Sequence, residues 1–123
     1  MDARQYVLRN IYKAFNNRDV DRVLSYMAEN VDWPNGMEGG RVFGQEGVRA
    51  YCRRQWAIIH PHVEPIGFDS TPDGRNVVKV HQVIRDLNGA IVLDRIVEHI
   101  YKFDGDLITK MDIRERDPEQ SAT

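Results

Sequence analysis

Apolar residues recur at spacings of three and four near the N-terminus, at Val7, Leu8, Ile11, Ala14 and Phe15. That spacing places them on one face of a helix covering about Ala3 to Asn16. The polar run Asn16-Asn17-Arg18-Asp19 interrupts the period, and Asp19 is positioned to cap a second helix carrying the stripe Val20, Val23, Leu24 and Met27. Val31-Asp32-Trp33 reads as a short strand, and Pro34 with Gly36, Gly39, Gly40 and Gly44 predicts a surface loop. Helical spacing returns from Gln45 through Val48, Tyr51, Cys52, Gln55, Trp56 and Ile59, until Pro61 stops it.

After Pro61 the texture changes to β-branched residues in alternation, clearest in Val77 to Arg85. Asn88-Gly89 predicts a hairpin with a return strand from Ile91 to Phe103, and Asp104-Gly105 a second turn before Leu107 to Glu115. With Val63 to Phe68 leading in, the strands form a largely antiparallel meander. Helices first and strands afterwards predict an α+β fold, a curved sheet wrapped over three N-terminal helices. The chain's 123 residues leave room for one core, expected over residues 1–116. Residues 117–123 hold too little apolar surface to pack and are expected to form a flexible tail.

Composition narrows the function classes. The chain is 41% hydrophobic and 29% charged, with a mean hydropathy of -0.55, as soluble globular proteins are. Seventeen Lys+Arg against nineteen Asp+Glu leave no basic surplus for phosphate backbones, so no nucleic-acid partner is expected. No stretch is long and apolar enough for a membrane partner. The single Cys52 excludes an internal disulfide and a cysteine-rich zinc site, and it agrees with a cytoplasmic location. His60-Pro61-His62 has no acidic or cysteine neighbours of ligand spacing, so no metal is expected.

The element order carries three particular runs. These are Asp19-Val20-Asp21-Arg22-Val23 through Met27 to Trp33, then Gly44 to Val48, then Tyr101 to Ile108. Together they resemble the nuclear transport factor two-like superfamily, which includes ketosteroid isomerase and the SnoaL-like polyketide cyclases. The resemblance spans about Gln5 to Glu115 and implies a cone-like α+β barrel with a pocket between helices and sheet, often dimeric through the outer sheet face. Such folds host isomerases, cyclases, hydrolases and binding modules, so the fold alone does not name a reaction. Carried over position by position, the isomerase base falls on Asn35 or Trp33, its oxyanion tyrosine near Ile11 or Tyr12, and its oxyanion aspartic acid on His99. The chain departs from the isomerase at each catalytic position. A second similarity is to epoxide hydrolases of the same superfamily. There Trp33-Pro34-Asn35 matches only an asparagine, and Asp112 with Arg95 imitates part of an Asp-Arg-Asp set.

Strand alternation yields a candidate pocket wall. With His99 pointing inward, as the resemblance implies, its set holds Lys79, His81, Val83 and Arg85 with Leu93, Arg95, Val97 and Tyr101, and Asp112 joins if the last strand keeps register. A wall this polar predicts a small-molecule ligand that is polar or anionic. The candidate catalytic residues are therefore His99, His81 and Asp112, as acid-base groups; Trp33, Asn35, Trp56, Arg95 and Tyr12 are candidates for binding, with Arg95 receiving an anionic oxygen. The functional expectation is a cofactor-independent isomerase, cyclase or lyase acting on a small polar or carbonyl compound. A non-catalytic binding module, a dimerisation scaffold or an epoxide-hydrolase-like hydrolase are the alternatives. The opposite set, Val78, Val80 and Ile84 with Val92, Ile96 and Ile100, predicts an outer apolar patch closed by a homodimer.

Overall fold

The stripe at the N-terminus becomes α1 (Ala3–Asn16), which buries Leu8, Ile11, Tyr12 and Ala14 against the sheet. In this computed structural model, which describes residues 3–115, α1 ends in a tight reversal. Arg18 takes a left-handed φ of 60°, and the Arg18 and Asp19 N–H groups return to the carbonyls of Phe15 and Ala14. Asp19 then caps α2 (Val20–Ser25), its side chain accepting from the Arg22 N–H as expected. The expected tail and the boundary at residue 116 lie outside the described residues.

Six strands follow: β1 (Met27–Pro34), β2 (Arg41–Phe43), β3 (Ile59–Ser70), β4 (Asn76–Asp86), β5 (Ile91–Asp104) and β6 (Leu107–Glu115), with α3 (Gly44–Ile58) between β2 and β3. They form one sheet in the order β2-β1-β6-β5-β4-β3. The β3-β4-β5-β6 meander is antiparallel, while β1 runs parallel to β6. The sheet curves over the three helices and stays open between β2 and β3, so the fold is an α+β cone rather than a closed barrel. The short edge strand β2 falls inside the expected loop. α3 stops three residues before Pro61, because the residue preceding a proline favours extended backbone and Ile58-Ile59 are β-branched.

The hairpin between β4 and β5 decides which side chains face the helices. Beside the turn Arg85 pairs with Ile91, but the next pair is Ile84 with Leu93, so Val92 is an extra residue on β5. A bulge of this kind exchanges the two faces of everything beyond it. Gln82 therefore opposes Arg95, Val80 opposes Val97 and Val78 opposes His99. Val78 and Val80 are fully buried in the core, not on an outer patch. His81 turns outward, where its Nε2 lies 2.7 Å from Asp94 Oδ1. The expected patch of Val78, Val80, Ile84, Val92, Ile96 and Ile100 is thus divided between the two faces. Ile96, 43% exposed, shares the outer face with ion-paired neighbours such as Glu98 and Arg114, 2.9 Å apart.

Arg41 ties β2 to the sheet. Its Nε donates to Asp32 Oδ1 at 2.6 Å, Nη1 to Asp112 Oδ1 at 2.8 Å, and Nη2 to the Met111 carbonyl at 2.7 Å. Replacing Arg41 by Met leaves two carboxylates and a carbonyl without their donor at a half-buried site. A loss of about 1–3 kcal/mol is expected in urea unfolding, since hydrogen bonds to charged groups are worth that much. An unchanged midpoint would show that the clamp adds nothing to β2.

Candidate functional site

A cavity of about 80 Å³ lies inside the cone, between α1, α3 and the inner sheet face. By the same measure a water molecule needs roughly 10–15 Å³, so the space holds several waters or a small organic molecule. Its wall is largely hydrocarbon and aromatic: Ile11 and Phe15 from α1, Trp33 and Pro34 from β1, and Met111 and Ile113 from β6. β6 alternation brings Met111 and Ile113 inward opposite Tyr101 and His99, which necessarily turns Asp112 outward opposite Ile100.

Three polar groups in this wall, from Tyr101, Tyr12 and His99, are connected. Tyr101 Oη donates to Tyr12 Oη at 2.8 Å, and Tyr12 Oη lies 2.8 Å from His99 Nδ1. With its oxygen receiving the Tyr101 proton, Tyr12 gives its own proton to Nδ1, and the neutral imidazole carries its proton on Nε2. The chain is neutral for a physical reason. Burial lowers the His99 pKa from 6.5 to about 4, with the nearby Arg95 charge adding to the effect. Burial likewise raises Tyr12 and Tyr101 above the ordinary phenol value, and each hydroxyl keeps its proton at neutral pH. Such a set leaves one hydrogen-bond donor, the His99 Nε2–H, without free ions, an arrangement suited to a carbonyl or enolic oxygen.

The candidate residues separate. His99, Tyr12 and Trp33 meet at the cavity. Arg95 stays on the inner face, where its Nε donates to Gln82 Oε1 at 2.9 Å and its Nη1 pairs with Glu115. Trp56 packs on Phe15, with ring centroids 5.5 Å apart, and under the Arg18 guanidinium. Asn35 is a loop-capping residue: its Oδ1 accepts from the backbone N–H groups of Met37 and Glu38. His81 and Asp112 face outward with their own partners, so the acid-base trio with His99 is not assembled. Nor is the epoxide-hydrolase set, because Asp112 and Arg95 stand on opposite faces of the sheet. With His81 and Asp112 turned out, the wall loses most of the charge that suggested a polar or anionic ligand.

Four polar residues of the cavity wall were not among the candidates: Tyr51, Gln55, Gln82 and Tyr101. Tyr101 lies two residues after His99 and shares its face by alternation. Gln55 was legible as a polar residue on an apolar helical stripe, one turn after Tyr51. The Cys52 thiol on that stripe is pushed up to about 11 by burial, so it stays protonated and unreactive. Among the described residues no three His, Cys, Asp or Glu side chains converge as metal ligands, and no helix is long and apolar enough to cross a membrane.

Comparison with known proteins agrees with this architecture. Residues 8–111 match the sequence profile of the SnoaL-like domain. No curated protein matches the chain closely enough to count as a relative. An NTF2-like protein of unknown function from Burkholderia pseudomallei is 25% identical, with a TM-score of 0.81 over 94% of this chain and 92% of that one. A putative polyketide cyclase from Pseudomonas putida is 17% identical, with a TM-score of 0.78 over 98% and 96% of the two chains. A Mycobacterium tuberculosis protein in complex with estradiol-17beta-hemisuccinate is 15% identical, with a TM-score of 0.79 over 98% of each chain.

Proposed function

This chain belongs to the SnoaL-like domain family, and from that premise we propose that it binds a small, mostly apolar carbonyl compound and polarises the carbonyl oxygen with the His99 Nε2–H, whose tautomer Tyr12 fixes. The observation that carries this reading is the buried Tyr101–Tyr12–His99 chain set in an otherwise apolar cavity. Donors held in a dry, neutral site stabilise negative charge on an oxygen more strongly than water does, because they need not reorganise as charge develops. This is the electrostatic half of an isomerase or cyclase step that passes through an enolate. It requires no cofactor, and no carboxylate lines the cavity among the described residues, so the reading extends to binding and polarisation and names no base. The steroid conjugate held by the mycobacterial protein is a ring compound bearing oxygen functions, and the Pseudomonas protein is named a putative polyketide cyclase; both support this reading.

Acetophenone is a minimal probe, with an expected Kd on the order of 1 mM for so few atoms. Bound to the wild-type protein, its infrared carbonyl stretch is expected to move to lower frequency. With His99→Phe the bound probe is expected to show an unshifted stretch. Absence of binding, or an equal shift in the variant, would overturn the reading.

The same proposal keeps the protein cytoplasmic, with Cys52 as a buried thiol, and dimeric through the outer sheet face around Ile96 rather than through the divided patch. Sedimentation at twice the 14.3 kDa chain mass supports the dimer, and a monodisperse single-chain species removes it.

A further inference from the structure

Gln55 is the polar side chain in the cavity wall that the fold leaves incomplete. It projects from α3 into the same cavity as His99 and is only 7% exposed. Its Oε1 is buried with no hydrogen-bond partner among the described residues. Its Nε2 makes one long contact of 3.5 Å, to Tyr51 Oη. Tyr51 Oη in turn accepts from the Gly36 backbone N–H at 3.2 Å, so the Tyr51 proton remains available to donate. A buried amide oxygen without a donor is destabilising, and a leucine or methionine on this stripe would fill the volume without that penalty.

We propose that Gln55 and Tyr51 form a second polar subsite of the cavity, which receives a hydroxyl group of the ligand. The inference rests on the reading of His99, oriented by Tyr12, as the carbonyl site, and it narrows the ligand to an apolar ring compound bearing both a carbonyl and a hydroxyl. A hydroxyl suits this pair because it gives one proton and accepts another. Its hydrogen meets the unpartnered Gln55 Oε1, while its oxygen takes the Tyr51 proton. A ligand ammonium is disfavoured, since burial that keeps His99 unprotonated penalises any other cation in the same enclosure. A ligand carboxylate is disfavoured for the same reason, and it brings no proton for Oε1. A second oxygen lacking hydrogen, as in an ether, leaves Gln55 as it was.

The test uses acetophenone together with its meta- and para-hydroxy and para-methoxy derivatives, titrated against the whole protein by Trp fluorescence quenching. The better of the two hydroxy compounds is expected to bind the wild type about tenfold tighter than the methoxy compound, the difference one well-placed hydrogen bond makes. Gln55→Leu is expected to reduce that preference to about twofold or less, and to raise the melting temperature, since an unpartnered buried oxygen is gone. Gln55→Met is the second variant, should leucine pack poorly, with the same expectations. A wild type indifferent to the hydroxyl, or a preference surviving both substitutions, overturns the second subsite. In those cases His99-dependent acetophenone binding leaves the carbonyl site standing; if none of the compounds binds, both readings fall.

Discussion

Between about pH 6.5 and pH 4 the wild-type protein is expected to lose about 3 kcal/mol of stability that a His99→Leu variant does not lose. The buried His99 imidazole titrates near 4 in the folded chain, against 6.5 for a free side chain. Across this window the unfolded state binds a proton that the folded state refuses, so acid favours unfolding. Each unit of pKa difference corresponds to about 1.4 kcal/mol. The contribution is flat above about pH 6.5, grows as the pH falls, and saturates below about pH 4, where the folded state is protonated as well. Urea unfolding of both proteins at a series of pH values isolates it, because carboxylates and the other three histidines are common to both. Parallel stability curves for wild type and variant would mean that His99 is not held neutral by the core.

Tyr12→Phe is expected to cost about 2–4 kcal/mol, several times the cost of Tyr101→Phe at about 1 kcal/mol. The Tyr12 hydroxyl is the middle of the chain, accepting from Tyr101 and meeting His99 Nδ1, each at 2.8 Å and all three side chains buried. Deleting it leaves the Tyr101 proton without an acceptor and His99 Nδ1 without a donor. Deleting the Tyr101 hydroxyl removes only the outer end, and Tyr12 keeps its bond to His99. The same substitution should blunt the carbonyl shift of bound acetophenone, since the imidazole is then free to move its proton to Nδ1. Chemical denaturation of the two variants checks the order. Equal losses, or the larger loss at Tyr101, would show that the chain does not run through Tyr12.

These two results bear on one feature. A neutral donor chain buried in an apolar cavity contributes to stability as long as every member is satisfied, and it is the same satisfaction that fixes which nitrogen of His99 points its proton at a ligand. Gln55 differs in being buried without complete partners, which is why its replacement by leucine is expected to stabilise the protein while that of Tyr12 destabilises it.

The elements were largely determined by the sequence itself. Ala3–Asn16 and Leu107–Glu115 have the bounds that the apolar period and the flanking turn residues imply, and Asp19 caps the second helix as its position suggests. Period and capping are local properties: the side chains that create them lie within a turn or a few residues of one another. The inward orientation of His99 came instead from the family resemblance, which places an oxyanion residue there, and the helical period alone did not show that Tyr12 is buried. The extra residue at Val92 was not legible. Ile91, Val92 and Leu93 are all apolar, so nothing in that run marks which one stands outside the ladder, and only the pairing of β4 with β5 chooses. That choice exchanged Val80 with His81 between the faces, divided the expected dimer patch and removed one imidazole from the site. Tertiary structure alone also brought β1 alongside β6, gave Arg41 the carboxylates of Asp32 and Asp112, and joined Tyr12 to His99 across 87 positions of chain. Contacts at such separations depend on how whole elements pack, and a single misplaced residue in a strand is enough to reverse them.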